Sequence, residues 1–173
     1  MLDAILNNVK GQVISTLAEK TGLNPSQAQD TIPLAKSSVT EGITSAISGG
    51  NVDGILGMLR SATGGAGGGE LMGNAVYQGI AGNFIGKLTG SLGLDQGIAG
   101  KVSSIALPMI MSKIGGATKQ EGESDGINAG SLMKVMGMDA GGLLGKAGGL
   151  LGGNKSDDAK GGGLLGGLGG MLK

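Results

Sequence analysis

The sequence predicts an all-α fold, a six-helix bundle built from two tandem, pseudo-equivalent three-helix modules. Residues 5–28 align with residues 76–99 at a constant offset of 71 and without a gap. Apolar residues recur at helical spacing throughout both segments, and glycines follow the periodic runs. A single repeated unit cannot cover its own apolar face. We therefore expect the two modules to bury their apolar faces against each other as one domain.

The first module, residues 1–63, begins with an amphipathic helix predicted over about residues 2–20. Gly22 ends this helix. A second periodic segment continues to about residue 48, and Asn51 is placed to cap a shorter third helix. The apolar side of the first helix, which we expect to face the core, consists of Leu2, Ile5, Leu6, Val9, Val13 and Leu17.

The second helix carries a clear local start signal. Asn24 is suited to the N-cap, Pro25 to the first helical position, and Gln27 to the capping-box position three residues after the cap. Pro33 lies inside the same helix, where it removes a backbone hydrogen bond and is expected to bend the axis. The glycine-rich run 64–69 then predicts a flexible linker between the modules.

The second module, residues 70–139, repeats this order. Its first helix is predicted over about residues 71–91, and Asp95 takes the capping role of its counterpart in the first module. The next helix is predicted over about residues 98–114 with Pro108 inside it. This helix is apolar on nearly all sides, which predicts that it is the central and most buried element.

A last helix and an unusual tail complete the chain. The Asp-Gly-Ile run at 125–127 repeats that at 53–55 and is expected to open the last helix. Eight leucines after residue 139 would contribute about 16 kcal/mol if fully buried, less than the ~33 kcal/mol of backbone entropy lost on ordering the tail. We therefore expect residues 140–173 to be mostly disordered without a partner. Apolar pairs in a seven-residue register, with Asp157-Asp158 in the one missing slot, make up the tail's candidate interaction residues: Leu143, Leu144, Leu150, Leu151, Leu164 and Leu165.

A stripe of glycines marks one side of the predicted helix over residues 71–91. Gly79, Gly82, Gly86 and Gly90 recur at steps of three, four and four residues. Each interior glycine costs roughly 0.5–1 kcal/mol relative to alanine, so the four together cost about 2–4 kcal/mol. A close neighbour would offset this cost, and the sequence leaves two candidates: another helix of the same chain, or a second copy of the protein.

Composition removes several classes of function. The chain has 13 basic and 13 acidic residues, so its zero formal charge gives no electrostatic reason to expect a nucleic-acid partner. It has no His and no Cys, the usual ligands of zinc and iron–sulfur sites and the usual nucleophile and base of hydrolases. Catalysis by Asp, Glu, Lys, Tyr or Thr remains open, but the carboxylates are scattered. We predict that the protein is not an enzyme and uses no cofactor or metal.

Short duplicated motifs also carry a family resemblance. Gly22-Leu23-Asn24 recurs as Gly93-Leu94-Asp95, and Ile32-Pro33-Leu34 as Leu107-Pro108-Met109. With the Gly-Leu-Leu-Gly tail, these motifs resemble the bacterial YidB-like family of uncharacterised all-helical proteins, over about residues 1–140. The resemblance implies a small bacterial cytoplasmic helical protein, and it carries over no catalytic residue. The chain departs from the family in its glycine-rich linker and tail.

The sequence therefore favours a non-enzymatic protein that self-associates or binds a protein partner, through close helix packing and the Gly/Leu tail. The first alternative is a peripheral membrane or envelope-associated binder that uses the tail as a weak membrane-surface anchor. A second alternative is a small-molecule carrier with a methionine-rich apolar centre. We expect a cytoplasmic location, because the uncharged stretch at residues 71–86 is too short and too polar to span a bilayer.

Overall fold

Helices account for most of the structure, a computed structural model that describes residues 2–64, 69–122 and 126–137, and no strand occurs in those ranges. The first module contains α1 (Leu2–Thr21), α2 (Pro25–Ser48) and α3 (Val52–Thr63). The second module contains α4 (Gly69–Gly73), α5 (Ala75–Leu92), α6 (Gln96–Glu121) and α7 (Ala129–Met136). The predicted all-α fold of two pseudo-equivalent modules is confirmed, with the one-turn helix α4 added before α5.

Burial repeats with the same offset of 71 as the sequence. Most residues of α1 that are buried in the core have buried counterparts in α5, and the same holds for most of those in α2 and α6. The pairs are Leu6 and Tyr77, Val9 and Ile80, Val13 and Phe84, Leu17 and Leu88, Ala28 and Ala99, Ala35 and Ala106, Val39 and Ile110, and Ile43 and Ile114. The duplication is thus a duplication of core positions, as the periodicity predicted.

The two modules pack reciprocally. The most extensive contacts join α2 to α5 and α1 to α6. Because α5 is the counterpart of α1, and α6 that of α2, each module places its first helix on the second helix of the other module. The helix α6 also packs against α3, α5 and α7, and its buried residues form one continuous stripe along the helix. Its predicted central position is confirmed.

The predicted N-caps are formed. The backbone N–H of Gln27 donates to Oδ1 of Asn24 at 2.8 Å, and the N–H of Asn24 donates to Oε1 of Gln27 at 3.3 Å, which completes a capping box. Oδ1 of Asp95 accepts from the N–H of Gly97 at 2.8 Å. Oδ1 of Asn51 accepts from the N–H of Gly54 at 3.1 Å. These bonds satisfy N–H groups that the first turn of a helix leaves without a partner.

The single helix predicted over residues 71–91 is divided at Asn74. Oδ1 of Asn74 accepts from the N–H groups of Val76 at 2.9 Å and Tyr77 at 3.1 Å, so this residue caps α5 and separates it from α4. The amide Nδ2 of Asn74 also donates to the carbonyl of Gly54 at 2.9 Å and ties the start of α5 to α3. The prediction missed this cap because the apolar period runs across it.

Two further boundaries differ from the predictions. The helix α6 continues past Ile114 to Glu121, because Thr118 is buried and Gly115 allows close contact with α3. Tertiary packing here outweighs the low helix propensity of glycine. Gly126 and Ile127 precede the last helix instead of opening it, since Asn128 caps α7 and Ile127 is buried before the helix begins; Asp125 lies outside the described residues.

Candidate interaction surface

The glycine stripe of α5 faces outward. Gly79, Gly82, Gly86 and Gly90, which we call the glycine face, are all exposed. An ideal Cβ at any of the four meets no atom within 4 Å in the described residues. The expectation that another helix of the same chain lies against this stripe is therefore wrong for the described helices. At 100° per residue, the glycines lie roughly opposite the buried apolar side of α5, a relation already readable from the sequence.

The counterpart positions on α1 provide an internal comparison. Shifting the glycine face by 71 residues gives Asn8, Gly11, Ser15 and Glu19, and all four are exposed. Three of these four counterparts carry side chains. The same position in a pseudo-equivalent helix thus accepts side chains, so the fold does not require the glycines of α5.

Two other glycines do make close helix contacts. An ideal Cβ on Gly115 of α6 would lie 2.6 Å from Cγ2 of Thr63 and 2.9 Å from the carbonyl oxygen of Leu59, both in α3. On Gly42 of α2 it would lie 3.1 Å from Cδ1 and 3.4 Å from Cβ of Ile80 in α5, and it would overlap Cγ1. Sequence reasoning missed both, because each is one isolated glycine within a helical pattern, which has several explanations.

An open groove of about 390 Å³ lies beside the glycine face, between α2 and α5. Its lining consists of Glu41, Gly42, Ser45, Ala46, Asn51, Ala75, Val76, Gly79 and Asn83. A counterpart groove between α1 and α6 is lined by Ile5, Asn8, Ser112, Lys113, Gly116, Ala117 and Gln120. Six positions of the two grooves correspond at the offset of 71. Where the α1/α6 groove has Asn8 and Lys113, the α2/α5 groove has Gly79 and Gly42.

A polar cluster borders the α2/α5 groove. Oε1 of Glu41 accepts hydrogen bonds from Nζ of Lys87 at 2.6 Å and from Oγ of Ser37 at 3.0 Å. Oε2 of Glu41 accepts from Nδ2 of Asn83 at 3.0 Å, and Lys87 also donates to Ser37. The hydrogen bond from Lys87, helped by those from Asn83 and Ser37, lowers the pKa of Glu41 from 4.5 to about 2. A carboxylate with so low a pKa is a weak proton acceptor, and its role here is to join the two helices.

Other predicted features are distributed as follows. The candidate residues of the tail, Leu143, Leu144, Leu150, Leu151, Leu164 and Leu165, lie outside the described residues. Within the described ranges, no three Asp or Glu side chains are grouped in a way that could hold a metal ion. No described helix is both long enough and apolar enough to cross a membrane. The glycine face and the adjoining groove are therefore the candidate interaction surface within the described residues.

Comparison with known proteins identifies a family. The family model described as a bacterial protein of unknown function (DUF937) matches the chain twice, over residues 3–116 and 74–172. The starts of the two matches are separated by 71 residues, the offset of the internal repeat. Comparisons with curated proteins and with solved structures gave no match. Since the two matches together span nearly the whole chain, the protein belongs to this bacterial family of unknown function, the YidB-like family that its motifs resemble.

Proposed function

We propose that this protein is a non-enzymatic helical protein that self-associates through the glycine face of α5, with the Gly/Leu tail adding to the contact. One observation carries the proposal. At Gly79, Gly82, Gly86 and Gly90, no described atom lies within 4 Å of an ideal Cβ, so the backbone of α5 is open over several turns. A helix from a second copy is the partner that such a surface accommodates.

The cost of the glycines supports this proposal. Four interior glycines destabilise α5 by about 2–4 kcal/mol relative to alanine, a substantial part of the stability of a typical domain. No described contact within the chain offsets that cost. At the counterpart positions of α1 the chain has Asn8, Ser15 and Glu19, so side chains are acceptable in the fold. An intermolecular contact that needs close approach of two backbones would explain why α5 has glycines where α1 has side chains.

A second copy is a suitable partner on symmetry grounds. Two copies that present the same face can meet across a twofold axis, the commonest symmetry of soluble oligomers. Helices that meet through side chains lie 8–10 Å apart, and glycines permit closer approach with more backbone contact. The groove between α2 and α5 lies beside this face and provides space for the edge of a partner helix.

A pair of matched substitutions tests the glycine face. Gly86→Leu adds a large side chain at the face, and Ser15→Leu adds one at the counterpart position of α1. We expect Gly86→Leu to weaken self-association by about ten-fold or more, equivalent to at least ~1.4 kcal/mol, and Ser15→Leu to leave it unchanged. Sedimentation velocity over a concentration series measures both, with circular dichroism as the control for folding. Equal association of the two variants contradicts the proposal.

Membrane binding is tested with the same protein. Co-sedimentation with anionic vesicles compares the full chain with a chain that ends at Asp139 and retains every described helix. We expect neither to bind vesicles. If the full chain binds and the shortened chain does not, the tail is a membrane anchor and the self-association proposal is replaced.

A further inference from the structure

We infer that the two modules recognise each other as unlike partners, through the contact of α2 with α5, so that like modules from two copies of the chain do not pair. This inference concerns the contacts between the modules and does not depend on the glycine face. The modules carry the same internal repeat and share most core positions, so pairing of two like modules would compete with the observed pairing of unlike modules. The structure shows three differences between the α2/α5 contact and the α1/α6 contact, and each favours pairing of unlike modules over pairing of like modules.

The first difference is a steric one between α2 and α5. Ile80 occupies the space beside Gly42, where any Cβ would overlap it. The counterpart positions are Val9 on α1 and Lys113 on α6, which line one groove between those helices. In the α2/α5 contact, the larger Ile80 thus faces a glycine. In the α1/α6 contact, the smaller Val9 has a lysine as its counterpart neighbour. Because isoleucine has one strongly preferred χ1 rotamer in a helix, Ile80 cannot easily turn away from an added side chain.

The second difference is again one of side-chain size, at other positions of the same four helices. Phe84 of α5 stands where α1 has Val13, and both are fully buried. Ser38 of α2 is also buried, and it stands where α6 has Met109. The first helix of the second module is therefore bulkier, and the second helix of the first module is smaller at the corresponding positions. Close packing in protein interiors makes such changes in volume significant.

The third difference is polar. Glu41 of α2 is held by Lys87 and Asn83 of α5 at 2.6 and 3.0 Å. The counterparts of Glu41 and Lys87 are Ser112 and Thr16, which carry no charge. The charged pair therefore exists in only one of the two reciprocal contacts.

Pairing of like modules would lose the steric fit, the match of side-chain volumes and the charged pair described above. Two first modules would bring Gly42 beside Val9, which leaves unfilled space, and Glu41 opposite a threonine, which provides no cation. Two second modules would bring Lys113 against Ile80, which overpacks the contact. The partner that fits α2 is accordingly the second module, either of the same chain or of a second copy that exchanges modules.

Disulfide trapping in the full chain tests this inference, because the protein has no native cysteine. The Cβ of Ile80 and an ideal Cβ at Gly42 are 3.4 Å apart, close to the span of a disulfide. Gly42→Cys with Ile80→Cys reports pairing of unlike modules. Gly42→Cys with Val9→Cys forms a covalent dimer when two first modules pair, and Gly42→Cys alone gives the background from random collision.

The chains are unfolded in urea, refolded at high concentration with oxidised glutathione, and analysed by mass. We expect the 42–80 disulfide to exceed covalent dimers of the 42–9 variant by about ten-fold or more, equivalent to ~1.4 kcal/mol. Covalent dimers of the 42–9 variant at a comparable yield, or a folded chain without the 42–80 disulfide, would overturn the inference.

A second measurement covers the case in which the cysteine variants do not fold. Gly42→Ala should lower the urea midpoint of the full chain through overpacking, and Ile80→Ala should lower it through the cavity that it leaves. With both substitutions, the alanine at position 80 lacks the Cγ1 and Cδ1 atoms that the new Cβ at position 42 would meet, so we expect at least half of the loss from Gly42→Ala to be recovered. Strictly additive losses would show that the two positions do not recognise each other and would overturn the inference.

Discussion

The replacement of Gly86 by alanine tests the exposure of the glycine face most simply. The added methyl group meets no described atom within 4 Å, so it neither gains packing nor causes overlap. The substitution therefore acts only by reducing the backbone entropy of the unfolded chain and by the better helix propensity of alanine, and both stabilise the folded protein. We expect the free energy of unfolding to rise by about 0.5–1 kcal/mol. For a chain of this size, that corresponds to an increase in Tm of about 1–4 °C.

Gly115→Ala is the matched control within the same fold. Its new Cβ would lie 2.9 Å from the carbonyl oxygen of Leu59, a backbone atom that cannot move without shifting α3. Overpacking of this kind costs about 1–3 kcal/mol, which exceeds the propensity gain. The same chemical change is therefore expected to stabilise the protein at position 86 and destabilise it at position 115.

Urea unfolding followed by circular dichroism provides the assay for both variants. The protein is kept dilute, because association of folded copies would add its own free energy to the result. If Gly86→Ala lowers the free energy of unfolding of the dilute protein as much as Gly115→Ala does, part of the same chain packs on the glycine face. Our explanation of the stripe would then be refuted.

Three further predictions concern the helix contacts. Asn74→Ala should lower the free energy of unfolding by about 1–2 kcal/mol in urea, because it removes both the cap of α5 and the hydrogen bond to Gly54; an unchanged midpoint would contradict this role. Lys87→Met should raise the pKa of Glu41 from about 2 towards 4.5, followed by carboxyl-carbon NMR. Since folding lowers this pKa, the stabilisation is present above pH 4.5 and is lost as the pH falls towards 2; a pKa unchanged by the substitution would refute the assigned cause. Phe84→Ala should cost about 3–5 kcal/mol in thermal unfolding, and a loss below ~1 kcal/mol would show that this ring is not a core residue.

The features that the sequence predicted correctly are those encoded locally or by repetition. The capping box of Asn24 and Gln27 follows from the identity and spacing of two residues. The offset of 71 follows from comparing the chain with itself, and it transfers directly to burial, as Val13 and Phe84 illustrate. Such signals need no knowledge of which helices meet.

Apart from the Asn74 cap, which the apolar period obscured, the features that were missed depend on tertiary contacts. Gly115 and Thr118 extend α6 because α3 lies against the former and the latter is buried, neither of which the local sequence reveals. Gly42 has a packing role only because Ile80 is opposite it, and the two are far apart in the chain. The glycine face shows an intermediate case. Its spacing was recognised, but its position opposite the buried residues of α5 was not used to place it towards solvent.

The solution mass of the unmodified chain tests the central claim most directly. Light scattering over a concentration series, for the full chain and for a chain ending at Asp139, measures whether copies associate and whether the tail contributes. We predict a mass that rises above one subunit with concentration and that is lower for the shortened chain at equal concentration. A single-subunit mass for the full chain at every concentration would contradict self-association.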